Sequence, residues 1–206
     1  DGGGRVVGQR DAEPGGGLSL TTTWKPEDRI ADNYGVPVPP GTPPGEYRLE
    51  LGMYSAADGT RLPIERDGVP AGDFLLLPSV RVSRPQAQPP ISAIPMQQRV
   101  SAQFGPLRLG GVNVNKLGYE GQTVDLHPGD VIHLTLFWQA ADAPGADYEI
   151  TIGDRGASLS VTGQPAEGRY PTSQWIAGEV VRDDRYLFVP ADQPPGRYEL
   201  HVSARA

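Results

Sequence analysis

One segment of this chain occurs twice. Thr21-Thr22-Thr23-Trp24 returns as Thr172-Ser173-Gln174-Trp175, and Pro43-Pro44-Gly45-Glu46-Tyr47-Arg48-Leu49 returns as Pro194-Pro195-Gly196-Arg197-Tyr198-Glu199-Leu200. Both pairs lie 151 positions apart. Between them Asp32-Asn33-Tyr34 aligns with Asp184-Arg185-Tyr186 at an offset of 152, which reads as one residue gained on the way. A repeat of such long period means two copies of one folding unit. It also bears on function, because a residue that recurs at the same place in both copies is expected there to make the fold.

The unit is expected to be all-β. The 27 Gly and 22 Pro of the 206 residues interrupt every window of a dozen residues that would otherwise carry a helical period. Between those breaks the apolar residues alternate, as they do in short strands joined by turns. The best strand is Val131 to Trp138, whose alternation sets Ile132, Leu134, Leu136 and Trp138 on one face and His133, Thr135 and Phe137 on the other. Phe104 to Asn115, Gly121 to Leu126, Tyr148 to Ile152, Ala157 to Val161, Arg185 to Val189 and Arg197 to Ser203 complete the second copy. Roughly seven or eight strands in about 105 residues suit an antiparallel β-sandwich of Ig-like or carbohydrate-binding-module type.

The first copy is expected to be a half. It holds strands at Gly45 to Tyr54 and Phe74 to Val82, but nothing upstream matches residues 104–152 of the second copy. The expected organisation is therefore a partial sandwich over 1–84, a Pro-rich semi-extended linker over 85–98, and a complete sandwich over 99–206. A sandwich short of strands leaves open edges and an uncovered apolar face. The first copy is then expected to pack on the second, to pack on another molecule, or to receive its strands from sequence before Asp1, the last being favoured.

Composition narrows the function. There is no cysteine, hence no disulfide, thiol nucleophile or Cys-based metal site. A formal charge of −7 without a Lys/Arg cluster argues against nucleic acid and anionic membrane surfaces. No apolar stretch approaches the ~20 residues that span a bilayer, so no direct membrane insertion of this segment is expected. The chain opens at Asp1 without Met or a signal peptide and is expected to be a piece of something longer.

Several motifs then carry a resemblance. Val6-Val7-Gly8-Gln9-Arg10-Asp11-Ala12-Glu13-Pro14, Trp24, Tyr34, Pro43-Pro44-Gly45-Glu46-Tyr47-Arg48-Leu49-Glu50-Leu51-Gly52-Met53-Tyr54 and Gly59-Thr60-Arg61-Leu62-Pro63 stand in order in the first copy. Leu117-Gly118-Tyr119, Pro128-Gly129-Asp130, Leu136-Phe137-Trp138 and Pro195-Gly196-Arg197-Tyr198 do so in the second. The chain resembles the repeated β-sandwich modules that follow the transmembrane part of bacterial membrane glycosyltransferases similar to dolichyl-phosphate-mannose protein mannosyltransferases. It departs from that pattern at Gly153-Asp154-Arg155-Gly156, which is short and lacks a counterpart of Gln9-Arg10-Asp11. The resemblance implies no catalytic residues here. It implies a non-catalytic accessory region, extracytoplasmic and part of a membrane-anchored protein, that positions or recognises a glycan or protein acceptor. A structural spacer or protein-interaction module without sugar binding is the alternative.

Individual residues carry two readings each. Trp24 and Trp175 are the candidate ligand-binding residues, as platforms on which a sugar ring stacks. Their recurrence at matched positions favours packing instead, and Trp138 is expected in the core. Tyr47 and Tyr198, each just after Pro-Pro-Gly, are expected to pin a loop through the hydroxyl. His133 and His201 offer a two-histidine metal pair only with a third carboxylate ligand, and lone strand histidines are ordinarily surface residues. Asp183 with Asp184, Asp28 with Asp32, and Asp1 with Asp11 offer oxygens to Ca²⁺ but lack the dense spacing of a dedicated loop. No nucleophile elbow, His-Glu-x-x-His, P-loop or dinucleotide glycine fingerprint occurs. The expectation is no enzyme activity, no cofactor and no metal.

Overall fold

The computed structural model describes residues 5–118 and 125–206. Asp1, Tyr119 and most of the strand expected over Gly121 to Leu126 lie outside the described residues. The fold is all-β: the described residues form strands and short 3-10 turns, with no α-helix among them. Among the described residues no helix is long and apolar enough to cross a membrane. The chain divides into two compact units, Asp1–Pro39 with Gly45–Ser83, and Pro40–Pro44 with Arg84–Ala206.

Unit 1 holds β1 (Gly45–Leu51), β2 (Glu65–Arg66), β3 (Val69–Pro70) and β4 (Leu75–Val82). β1 and β4 pair antiparallel, setting Tyr47 opposite Val80, Leu49 opposite Leu77 and Leu51 opposite Leu75. Paired residues share a face of the ribbon, so these six apolar side chains stand together while Glu46, Arg48, Glu50 and Arg81 stand on the other face. β2 and β3 form a hairpin absent from the sequence expectation, closed by Asp67 (φ 53°) and Gly68 (φ 75°). Positive φ at both turn residues is what a two-residue hairpin of this twist needs. Not one described residue of unit 1 is buried.

Unit 2 is built differently. β5 (Gln98–Phe104), β6 (Leu107–Lys116), β7 (Val131–Ala140), β8 (Glu149–Gly153), β9 (Ser160–Gly163), β10 (Val180–Phe188) and β11 (His201–Arg205) form a four-stranded sheet in the order β10-β7-β6-β5 and a three-stranded sheet in the order β11-β8-β9. Ile132, Leu134, Leu136 and Trp138 of β7 do share one face, and all are in the core with Leu107, Leu109, Val181 and Leu187. Ile150 and Ile152 of the other sheet join the same core, so the two sheets cover each other's apolar sides. Burying each such side chain stabilises by about 1.5–3 kcal/mol.

The segment expected as a linker is docked. Ile91–Ala93 forms a 3-10 turn, and Ile94, 2% exposed, packs with Phe137 and Val180, flanked by Ile91 and Met96. Phe137 thus leaves the core side of β7 without meeting water. Gly110 and Gly111 make the approach physically possible, since a Cβ there would sit 2.2 Å from Ile91 Cδ1 and 2.3 Å from Met96 Sδ. Residues 84–98 therefore belong to unit 2, as does Pro40–Pro44, where Gly41 O accepts from Arg182 N at 2.7 Å.

The two Trp segments share a hydrogen-bond frame. Trp24 Nε1 donates to Ser19 O at 3.2 Å, and Trp175 Nε1 to Tyr170 O at 3.0 Å. Gly15 N donates to Asp32 at 3.1 Å, and Ala166 N to Asp183 at 2.9 Å. Lys25 N donates to Asp28 at 2.8 Å, and Ile176 N to Glu179 at 3.0 Å. Each of these partners is displaced by 151. These bonds set Asp32 with Asp183, 151 positions on, whereas the sequence alignment sets it with Asp184.

Candidate functional site

Alternation along β10 decides where the acidic residues go. Asp183 and Arg185 face the core, whereas Arg182, Asp184 and Tyr186 face outward. On that outward face His133 and Tyr186 are opposite each other across β7 and β10, with ring centroids 4.8 Å apart and planes within 3°. Asp184 Oδ1 receives Thr135 Oγ1 at 2.8 Å and Arg182 Nη2 at 3.0 Å, and lies 3.0 Å from His133 Nε2. Burial alone would raise the Asp184 carboxyl, but His133, the Arg182 charge and Thr135 together hold it below the usual carboxylate range. Beside them Gln97 bridges Asn113 and Asn115 of β6. The result is a polar, hydrogen-bonded sheet face with one aromatic stack.

Its chemistry is that of a surface rather than a catalyst. Asp184 is an ionised acceptor already engaged by three groups, so it is poorly placed as a general base. Asp183 lies on the opposite side of the sheet, held by Arg185 Nε at 2.9 Å and Ala166 N. Two carboxylates on opposite faces cannot flank one glycosidic bond or share one Ca²⁺.

A second polar cluster ties the docked segment down. Arg84 Nε lies 3.2 Å from both Glu179 Oε1 and the Tyr170 hydroxyl, and Arg84 Nη2 donates to Gln174 O at 2.8 Å. Tyr170 in turn donates to Glu179 Oε1 at 2.8 Å. Burial above all, with the Glu179 carboxylate helping, pushes the Tyr170 hydroxyl up to about 12.

The residues singled out from sequence are scattered. Trp175 is 2% exposed and stacks on Tyr170, and a ring so enclosed has no face for a sugar. Its platform reading is corrected on that ground. Trp24 is 37% exposed, with its Nε1 turned back to Ser19. Trp138 is fully buried. Tyr198 does pin its loop, donating to Pro194 O at 2.6 Å. His133 belongs to the four-stranded sheet and His201 to the three-stranded one, where Arg155 Nε donates to it at 3.3 Å. Asp28 accepts from the backbone N–H of Lys25 in its own turn, and Asp32 from that of Gly15 in the Pro14–Gly17 turn. Asp1, and with it the Asp1/Asp11 pair, lies outside the described residues. Among the described residues no three His, Asp or Glu side chains converge.

The His133–Asp184–Tyr186 cluster was not anticipated. His133 and Asp184 stand out in the sequence only for other pairings, with His201 and Asp183, and it is the register Tyr186–His133 and Asp184–Thr135 that joins the three. Comparison of the chain with protein-family models, curated proteins and solved structures finds no match.

Proposed function

We propose that the chain is a non-catalytic accessory region made of two β-sandwich modules of one design, the first short of strands, and that it works by engaging and positioning another polypeptide. It serves, on this reading, as an extracytoplasmic part of a larger membrane-anchored protein, a glycosyltransferase by the resemblance set out above. The observation that carries the reading is the contrast between two matched indoles: Trp175 is 2% exposed, and Trp24, held by the same kind of hydrogen bond, is 37% exposed. One frame closed over by strands and a like frame left open supports the reading of a surface that another polypeptide covers.

A second reading, glycan recognition, is favoured by the Tyr186, His133 and Asp184 face, which combines an aromatic with charged hydrogen-bonding groups. The rings stack on each other, however, and so use against themselves the faces a sugar would need. A glycan-array screen of the chain, confirmed by calorimetry, separates the two. Silence is expected. Saturable binding to a defined sugar, lost in Tyr186→Ala, would replace the polypeptide reading with the glycan one.

A further inference from the structure

We propose that the apolar face of the β1–β4 ribbon in unit 1 is a docking site for a polypeptide that adds amphipathic β-strands, as β6 to β8 do within unit 2. The inference rests on the two-module reading and names the partner's chemistry. Tyr47, Leu49, Leu51, Leu75, Leu77 and Val80 stand on one side of the ribbon, and none of them is buried. Leu51 is 46% exposed, and Leu77 and Val80 41% each. The opposite side carries Glu46, Arg48, Glu50 and Arg81 beside Leu76, with Arg61 Nη1 on Glu50 Oε1 at 3.0 Å and Ser79 on Glu46 at 3.3 Å. A face so divided belongs at the boundary between a core and water.

Unit 2 says what should cover it. Displaced by 151, Leu49 and Leu51 correspond to Leu200 and Val202, which pack against the core that Leu134, Leu136 and Trp138 fill. The cover there is a sheet whose strands place Leu, Ile and Trp at alternate positions. β11 has β8 as its hydrogen-bonded neighbour. Among the described residues the strand paired with β1 is β4, and the proposed strands would add to the ribbon that these two form. The occupant that fits is therefore polypeptide with alternating apolar residues over strands of seven to ten residues, the lengths of β5 to β7. A sugar, a nucleic acid or a metal would leave this uncharged face unsatisfied.

The test extends the full chain. A second copy of residues 98–151 is placed ahead of Asp1, because residue 152 corresponds to Asp1. Amide exchange is read over Gly45–Leu51 and Leu75–Val82. The expected result is slowing by at least ~100-fold relative to the unextended chain. The same extension carrying Leu134→Ser, Leu136→Ser and Trp138→Ser in the added copy should leave exchange unchanged. Equal exchange in all three proteins overturns the proposal, and equal slowing by both extensions overturns it too. Sedimentation of the unextended chain should show a monomer; a dimer abolished by Leu49→Lys would assign the face to a second copy instead. Failure here leaves the function reading standing, since that reading is tested separately, by glycan binding and by the relative exposure of Trp24 and Trp175.

Discussion

Asp183 and Arg185 form a salt bridge of 2.9 Å on the core side of β10, with 0% and 5% of their side chains exposed. Two charges buried among Leu and Trp side chains cost more to desolvate than a surface pair, and the geometry compensates with further bonds, Ala166 N to Asp183 and Arg185 Nη2 to Gly163 O at 3.0 Å. The pair therefore staples the Pro165–Gly168 turn and β9 to β10.

Burial raises the Asp183 carboxyl to about 6, against the pull of Arg185 and of the Ala166 N–H. Its folded value lies above the unfolded value of about 3.9, so its contribution to stability is fully present below about pH 4 and is lost as pH rises through about 6. Urea melts between those pH values should show that decline, and Asp183→Asn should remove it. The same variant strands the Arg185 charge and should cost about 3–5 kcal/mol near neutral pH. An unchanged slope in the variant would contradict the assignment.

The two matched indoles should respond unequally to truncation. Trp175→Ala opens a cavity in the core of unit 2 and should cost about 3–5 kcal/mol. Trp24→Ala removes a ring that is 37% exposed in a unit none of whose described residues is buried, and should cost about 1 kcal/mol or less. Denaturant melts of both variants check this, and equal losses would go against it.

Gly111→Ala should loosen the segment before β5. Its Cβ would lie 2.3 Å from Met96 Sδ and 2.7 Å from Gln98 O, and the second contact is backbone, which cannot swing aside. Limited proteolysis should then cut within residues 85–97 at least ~10-fold faster than in the parent chain. Unchanged cutting would mean that the docking of Ile91, Ile94 and Met96 does not depend on this glycine.

Tyr170 should ionise late. Its hydroxyl is pushed up to about 12, so in alkali it stays neutral while the unfolded chain would ionise near 10, and its share of stability is lost as pH rises between about 10 and 12. The difference in absorbance at 295 nm between the parent and Tyr170→Phe should titrate near that upper value. A difference spectrum that titrates near 10 would contradict the buried cluster with Arg84 and Glu179.

Part of this architecture was legible in the chain itself. Alternation places Ile132, Leu134, Leu136 and Trp138 on one face of β7, and the Pro-Pro-Gly-x-Tyr motif anticipates the Tyr198 bond to Pro194. Periodicity reports which side chains share a side, but not what packs on that side. Phe137 therefore reads as surface, although Ile94 covers it. Residues 85–98 read as a linker for a related reason: Pro-rich composition describes the local backbone and is blind to Gly110 and Gly111, twelve or more residues away, which let Ile91 and Met96 approach. Asp32 was paired with Asp184 because a Tyr follows two residues after each, whereas the turn N–H groups select Asp183. The Tyr186–His133 stack depends on strand register, which no motif encodes.

The contrast between a covered frame and an open one is tested most directly on the three indole N–H groups, one per tryptophan. In a proton NMR exchange experiment in D₂O, the Trp138 and Trp175 signals, from rings 0% and 2% exposed, should persist at least ~100-fold longer than that of Trp24. That outcome matches an open frame in unit 1 and a closed one in unit 2. Three signals of comparable lifetime would mean that Trp24 lies in a closed core of its own, and the account of unit 1 as a surface awaiting a partner would be wrong.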